Sequence, residues 1–106
     1  MSAVSQGNER LDIIRLARTD GIGPVNFRRL MTEHGTAGAA IEALPERVRK
    51  AGRRATIAIP TRDSVEAEQE ALTRLGGRML LLGDPDYPAL LSRITDAPPV
   101  LSLWGQ

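Results

Sequence analysis

The stretch from Arg18 to Leu30, RTDGIGPVNFRRL, most constrains the fold of this chain. Gly21 and Gly23 accept positive φ angles and allow two backbones to approach closely. Pro24 suits the first position of a helix, because its fixed φ is helical and its missing N–H would have no partner there. Apolar residues recur at helical spacing on both sides of the turn. The sequence therefore predicts two helices joined by a tight turn.

The first of these helices is predicted from Asn8 to Arg18, and the second from Pro24 to its C-cap Gly35. The apolar side chains expected to face inward are Leu11, Ile14, Leu16, Ala17, Val25, Phe27, Leu30 and Met31. The charged side chains of the first helix that are expected to face outward are Arg10, Asp12 and Arg15. The two helices would thus pack through apolar stripes, with their charges in water.

Further helices are predicted after this pair. One runs from its cap Thr36 to Leu44, with Ile41 and Leu44 buried. Pro45 is expected to restart a short basic helix that ends at Gly52. A longer helix, capped by Thr61 or Asp63, should extend to Leu75, with Gly76 and Gly77 closing it.

The pattern changes after Gly77, where RMLLL reads as a buried strand. A turn, GDPDYP, leads into a short helix from Pro88 to Ile94, and VLSLW forms a second strand candidate. This order predicts the first β-α-β of an α/β sheet. Residues 1–60 would form a helical domain and residues 61–106 the start of the second domain. Two strands make only a marginal sheet, so we expect a fragment whose sheet continues beyond residue 106.

Composition excludes several classes of site and protein. The chain has 106 residues, a net charge of +1 and no cysteine, which excludes disulfides and thiolate metal sites. His34 is its single histidine and cannot form a metal site alone. No apolar run approaches the roughly 20 residues needed to span a bilayer, and the N-terminus lacks the pattern of a signal peptide. A cytoplasmic protein without membrane contact is expected.

Basic residues are concentrated in one segment. Six cations occur between positions 47 and 62 without an intervening acid: Arg47, Arg49, Lys50, Arg53, Arg54 and Arg62. Four acids follow immediately: Asp63, Glu66, Glu68 and Glu70. The segment is either a solvated helix face or a basic surface for an acidic partner or nucleic acid. No aromatic residue interleaves the arginines, which disfavours stacking on nucleic-acid bases.

The Gly-Ile-Gly turn is typical of a helix-hairpin-helix. The N–H groups that begin its second helix lack intrahelical partners and favour an anion. A DNA phosphate could lie against Gly21 and Gly23, with Arg28 or Arg29 reaching the next phosphate, without sequence specificity. Asp20, Pro24 and the bulky Phe27 weigh against this. A packing hairpin, a DNA contact and a protein-binding surface therefore all remain open.

Two blocks of the chain resemble one known family. GIGPVNFRRLMTEHGTAGAAIEAL resembles the N-terminal helical domain of the DNA-processing protein A (DprA/Smf) family. LGGRMLLLGDPDYPALLSRITDAPPVLSLWG resembles the lead-in to that family's Rossmann-like domain, and its ordered D-P-x-Y-P and D-x-P-P motifs make it the more specific block. The resemblance implies a SAM-like or helix-hairpin-helix-like N-terminal domain, followed by the first β-α-β of an α/β Rossmann-like domain. Asp84-Pro85 and Tyr87-Pro88 would be turn residues of that scaffold.

The resemblance also implies a function. Family members bind single-stranded DNA, help load the RecA recombinase during natural transformation, and usually form homodimers through the Rossmann-like domain. The main DNA contacts would lie beyond residue 106, and this segment would be accessory, with no catalytic residue and no cofactor. Two other functions stay open. One is a protein-interaction module that docks a regulator or recombinase through Arg47, Arg49, Lys50, Arg53 and Arg54; the other is the front end of a Rossmann-like nucleotide-binding enzyme.

Overall fold

The structure, a computed structural model, describes residues 3–50, 58–94 and 96–103, with the backbone alone for residues 3–7 and 47–50. Within these residues the chain forms, in order, α1 (Ala3–Ala17), α2 (Pro24–His34), α3 (Ala37–Lys50), α4 (Arg62–Arg74), β1 (Arg78–Leu81), α5 (Ala89–Ser92) and β2 (Val100–Leu103). The predicted helical N-terminal part is confirmed. None of the helices in the described part of the chain has both the length and the apolar character needed to cross a bilayer.

Helix α1 begins at Ala3, earlier than the predicted start at Asn8. The residues before Asn8 include no proline, and Gly7 weakens a helix by only about 1 kcal/mol. Tertiary packing along the rest of the helix outweighs such a local preference. The helix consequently runs past its predicted cap in the N-terminal direction.

The first of two apolar cores lies among α1, α2 and α3. Its buried members are Leu16, Phe27, Leu30, Ala37, Ala40, Ile41 and Leu44. Phe27, Leu30, Ile41 and Leu44 are buried as predicted. Val25 is not: its side chain is 47% exposed, because Phe27 and Leu30 already define the inward face of α2. The expectation for Val25 is therefore wrong.

The second core joins α1 to α4 and the sheet. Its buried members are Leu11, Ile14, Val65, Leu72, Met79 and Leu81. Ile13 of α1 packs against both cores. Ala71 and Leu75, at the C-terminal end of α4, are exposed. Helix α1 thus contributes apolar side chains to both halves of the structure.

Glycine at position 77 allows α4 to turn directly into the sheet. A Cβ placed there would lie 2.6 Å from the carbonyl oxygen of Leu103 and 2.6 Å from Cδ1 of Leu72. The Gly77 N–H donates to the Leu72 carbonyl oxygen at 2.8 Å and closes the end of α4. The predicted Gly76-Gly77 terminator is confirmed. A side chain at its second position would collide with Leu72 and with the backbone of Leu103.

The two strands pair in antiparallel orientation, with Arg78 opposite Leu103 and Leu81 opposite Val100. A parallel β-α-β unit needs a crossover of a dozen or more residues, usually a full helix that spans the sheet. Among its described residues, the connection formed by residues 82–99 contains only α5, a single turn of four residues, and the chain returns beside β1 in the opposite direction. The Tyr87 hydroxyl closes this connection by donating to the Pro98 carbonyl oxygen at 2.7 Å. The expected β-α-β arrangement is therefore wrong for the described strands.

Helix α3 continues through Pro45 to Lys50, so the predicted break at Pro45 is also wrong. An interior proline removes one helical hydrogen bond and costs about 3 kcal/mol in an isolated helix. Ile41 and Leu44, just before it, are buried in the first core. The packing of this face holds the helix together across the proline, while Pro45 itself is exposed.

Asp12 binds α4 to α1 through a nearly buried ion-pair network. Only 3% of the residue is exposed, although its position in the sequence suggested an outward side chain. Its Oδ1 accepts from Arg15 Nη1 at 2.8 Å and Arg62 Nε at 3.0 Å, and its Oδ2 accepts from Arg62 Nη2 at 2.9 Å. Arg15 Nε also donates to the Pro60 carbonyl oxygen at 2.7 Å. The network fixes the start of α4 and the residues before it.

Burial and the two neighbouring arginines shift the pKa of Asp12 in opposite directions. Burial raises its pKa, but the hydrogen bonds and charges of Arg62 and Arg15 together outweigh burial, so the pKa lies below its ordinary value of 3.8. A carboxylate with a lowered folded-state pKa stabilises the fold above its unfolded-state pKa. That contribution is lost as the pH falls through the folded-state value.

We expect Asp12→Asn to lower the free energy of unfolding near neutral pH by about 1–3 kcal/mol, because it removes the charge that binds Arg15 and Arg62. Urea denaturation of both proteins between pH 7 and pH 2 measures this. The difference between them should begin to shrink as the pH falls below 3.8, where the unfolded chain takes up the proton, and should shrink further as the pH falls through the lower folded-state pKa of Asp12. Glu70→Gln is the matched control, since Glu70 pairs with Arg74 at 3.8 Å in an exposed position. An equal effect of both substitutions would contradict the assigned role of Asp12.

Candidate nucleic-acid interface

The turn between α1 and α2 has a positive φ at Gly21 but not at Gly23, whose φ is −86°. A Cβ at either glycine would meet nothing within 4 Å, so the close backbone approach expected there is not found. Gly21 adopts a φ of 85°, a value that L side chains rarely take. The N–H of Ile22 donates to the Thr19 carbonyl oxygen at 3.2 Å. The Ile22 side chain is half-buried and packs against the first core, as expected for a residue between two helices. The turn is therefore held to the helices by both its backbone and its apolar side chain.

The start of α2 is open, which means that its first N–H groups have no hydrogen-bond acceptor among the described residues. Gly23 is its N-cap, with φ −86° and ψ 175°, and no side chain accepts a hydrogen bond there. The first helical bond runs from the Phe27 N–H to the Gly23 carbonyl oxygen at 2.8 Å. Pro24 contributes no N–H, which leaves those of Val25 and Asn26 without an acceptor in the described part of the chain. These donors and the helix dipole favour an anion at this position.

The starts of α3 and α4 are occupied by acceptors of the chain itself. At α3, the Thr36 hydroxyl accepts from the Ala39 N–H at 3.2 Å, and the Glu9 carboxylate accepts from the Ala37 N–H at 2.8 Å. At α4, the Thr61 hydroxyl accepts from the Ser64 N–H at 3.1 Å. The predicted caps Thr36 and Thr61 are confirmed. Helix α2 differs from both in offering its first donors to solvent.

The two predicted arginines of α2 have different surroundings. Arg28 is half-buried, and its Nη2 donates to the Ile94 carbonyl oxygen at 3.2 Å. Arg29 is exposed and has no hydrogen-bond or ion-pair partner among the described residues. Asp20, on the turn, is exposed and adds a negative charge near the helix start. Arg29 is thus the arginine of this pair that is available to a ligand.

Phe27 occupies a structural position. Its side chain is buried in the first core together with Leu16 and Leu30. It therefore offers no exposed ring on which a base could stack. Tyr87 is buried as well, with its hydroxyl bonded within the chain. Any nucleic-acid contact of the described residues would use phosphate groups rather than aromatic stacking.

The predicted partner-binding residues lie largely outside the described part of the structure. Three of them, Arg47, Arg49 and Lys50, lie in α3, where the structure describes only their backbone. Arg53 and Arg54 lie outside the described residues. Arg62, the last cation of the basic run, is paired with Asp12. The role of the other five remains a prediction.

The acidic side chains of the described residues form no metal-binding cluster. Within residues 3–50, 58–94 and 96–103, no three His, Asp or Glu residues lie close enough together to hold a metal ion. Asp84 has the predicted turn role, because its carboxylate accepts the Leu81 N–H at 2.8 Å. It also accepts from Arg10 at 2.9 Å, and this hydrogen bond is the main cause that lowers the pKa of Asp84.

Comparison with known families decides the assignment. A model of DprA-like N-terminal HHH domains matches residues 7–71, which is more than half of the chain. The chain belongs to this family. A comparison with curated proteins finds no match.

The DprA-type match extends from α1 into α4. It therefore includes both helices of the hairpin, the open start of α2 and the Asp12 network. It also crosses the boundary that the sequence predicts between residues 60 and 61. The division of the chain into domains at that position remains a prediction.

Sequence reasoning missed the interactions that separate Arg28 from Arg29. The carbonyl oxygen that Arg28 binds lies 66 positions away in the chain, and no local pattern indicates such a partner. The acceptor at the start of α3 was missed for the same reason, since Glu9 lies on α1. The absence of a side-chain cap at α2 could be predicted from the sequence, because the N-cap residue is a glycine.

We expect Gly21→Ala to lower the free energy of unfolding by about 1–2 kcal/mol, because alanine is strained at positive φ. Gly21→Asn should cost less, because asparagine tolerates this region better. Gly23→Ala is the control, since its φ is negative and a Cβ there meets nothing within 4 Å. Chemical denaturation of the three variants checks the order. Equal losses at both glycines would contradict the assigned turn geometry.

Proposed function

We propose that this chain is the accessory N-terminal part of a DprA-type protein that binds single-stranded DNA and helps load the RecA recombinase. The role is binding rather than catalysis, and its place is the cytoplasm, where DNA and recombinase meet. The main DNA contacts and the homodimer interface lie in a Rossmann-like domain outside this segment. The family match is the observation that carries the proposal.

Within this role, the start of α2 contacts one DNA phosphate. The donors of Val25 and Asn26, which have no acceptor among the described residues, support this, as does the exposed Arg29 one helical turn further on. Phosphate contacts of this kind carry no sequence information. Asp20 repels phosphate at the same turn and keeps the contact weak.

Few cations are available for this contact. Arg18, at the end of α1, is paired with Glu68 at 2.8 Å, and Arg28 is bound to a carbonyl oxygen. Among the residues that the structure describes, the exposed Arg29, which has no partner there, and two N–H groups lie at the start of α2, and together they neutralise about one phosphate. We therefore expect the chain to bind a dT oligonucleotide with a Kd on the order of 10⁻⁴ M or weaker at physiological salt. Tight binding under these conditions would contradict the proposed division of labour.

Salt dependence identifies the contributing arginine. Arg29→Ala should weaken dT binding and make the slope of log Kobs against log salt less steep by about 0.7, the value for one phosphate on a single strand. Arg28→Ala should change the slope less, because its guanidinium already has a partner. Arg74→Ala is the matched control on α4, where Arg74 is exposed beside Glu70. Fluorescence anisotropy at several salt concentrations measures all three.

An identical slope for Arg29→Ala and Arg74→Ala would exclude a specific phosphate contact at the hairpin. The hairpin would then be a packing element, and the DNA-binding role would rest on other parts of the protein. Circular dichroism of each variant confirms that the helices are intact. Both arginines are exposed, so neither substitution removes a buried contact.

A further inference from the structure

An apolar groove lies between the end of α4 and one face of the sheet. Its volume is about 250 Å³, and it is lined by Glu68, Ala71, Leu72, Leu75, Met79 and Ser102. Leu72 and Met79 are its innermost members, because both are buried in the second core. Leu75, at its outer edge, is 69% exposed. The groove therefore leaves a large apolar side chain in contact with water unless another group covers it.

The strand register shows which face of the sheet borders the groove. Met79 lies opposite Ser102, and Leu81 lies opposite Val100. Residues directly opposite each other project to the same face. Met79, Leu81 and Val100 pack in or against the second core, so this face is turned towards α1 and α4. Ser102 is the exposed member of the face, beside the groove.

Two sequence positions extend this face towards the end of α4. Side chains alternate between the two faces of a strand, so position 104 shares the face of Ser102. Continued by one residue, the register places it opposite position 77. These positions hold Gly77 and Trp104, the single tryptophan of the chain, which lies outside the described residues. An aromatic side chain can cover a glycine of the neighbouring strand, because glycine leaves the space beside it empty.

The backbone around Gly77 supports this continuation of the register. A Cβ at Gly77 would lie 2.6 Å from the carbonyl oxygen of Leu103, so the chain runs directly beside Gly77 at the residue before Trp104. The Gly77 N–H donates to the carbonyl oxygen of Leu72, a residue that lines the groove. The described backbone thus brings the chain to the end of the groove immediately before Trp104.

We propose that the indole of Trp104 occupies the groove and completes the second core. An apolar cavity of about 150 Å³ holds a benzene molecule, and the larger groove accommodates an indole. Its apolar contacts come from Ala71, Leu72, Leu75 and Met79. A buried tryptophan usually needs an acceptor for its N–H. The Glu68 carboxylate and the Ser102 hydroxyl, which both line the groove, provide such acceptors.

Two other occupants fit the groove less well. Helix α4 carries twice as many acidic as basic side chains, which repel the phosphates of a nucleic acid whose base entered the groove. A stable protein partner buries about 800 Å² of each surface, far more than so small a groove offers. The inference assigns the single tryptophan to the core instead of to base stacking. It goes beyond the proposed DNA contact and does not rest on it.

Intrinsic fluorescence of the full chain tests the proposal, because selective excitation of tryptophan reports on Trp104 alone. We expect emission at shorter wavelength, and weaker quenching by acrylamide, in the folded chain than in urea. Leu75→Ser should shift the emission to longer wavelength and strengthen the quenching, because it removes the outer edge of the groove. Leu90→Ser is the matched control, since Leu90 is 79% exposed on α5, and it should change neither.

A double-mutant cycle then measures the contact between the two side chains. Urea denaturation gives the loss of stability caused by Leu75→Ser in the wild type and in Trp104→Ala. We expect a loss in the wild type and little effect once the indole is removed, because residues in contact are not additive. Leu90→Ser should have the same effect in both backgrounds. Additive losses at positions 75 and 104 would overturn the proposal.

Three further outcomes would contradict the assigned position of Trp104. Emission that matches the urea-unfolded chain, or that does not respond to Leu75→Ser, would place the indole in solvent or in another contact. Emission that changes on dilution of the protein would mean that a second copy covers the groove. Quenching by a dT oligonucleotide would assign the indole to a nucleic-acid base. A response to Leu75→Ser without the last two effects supports the proposal, whether or not the hairpin binds DNA.

Discussion

Helix α1 is the element on which both halves of the structure depend, because its apolar side chains fill two cores. Leu16 packs with α2 and α3, whereas Leu11 and Ile14 pack with α4 and β1. Between these faces, the Asp12 carboxylate binds Arg62 at the start of α4. A helix buried on two sides has few orientations that satisfy both. This constraint positions the end of α1, and with it the turn that begins α2.

The start of α2 is open because the hydrogen-bond acceptor side chains lie at the starts of the other helices, α3 and α4. Threonine hydroxyls and the Glu9 carboxylate satisfy the first N–H groups of α3 and α4. The glycine and proline that shape the hairpin carry no acceptor side chain, so the same residues that allow the tight turn leave the next donors free. Anion binding at this place is therefore a consequence of turn geometry, and its strength depends on the few cations nearby.

Much of the helical part was predictable because its signals are local. The Gly-Ile-Gly-Pro turn, the Gly35 C-cap and the threonine caps act within a few residues, and each was found where the sequence predicts it. Predictions failed where contacts between residues far apart in the chain determine the local structure. Val25 is exposed because other side chains of α2 fill the core, and α3 passes through Pro45 because buried neighbours hold it. At the candidate site, the positive φ of Gly21 was predictable, but the two arginines could not be distinguished.

The sequence by itself determined the helical hairpin, the caps and the positions of the strands, since each depends on backbone preferences of neighbouring residues. Tertiary structure alone decided that the strands pair antiparallel, that Asp12 is buried and that Arg28 is bound while Arg29 has no partner among the described residues. These outcomes depend on groups far apart in the chain that meet only when the cores close. Strand direction and charge pairing are therefore properties of packing, which local patterns do not encode.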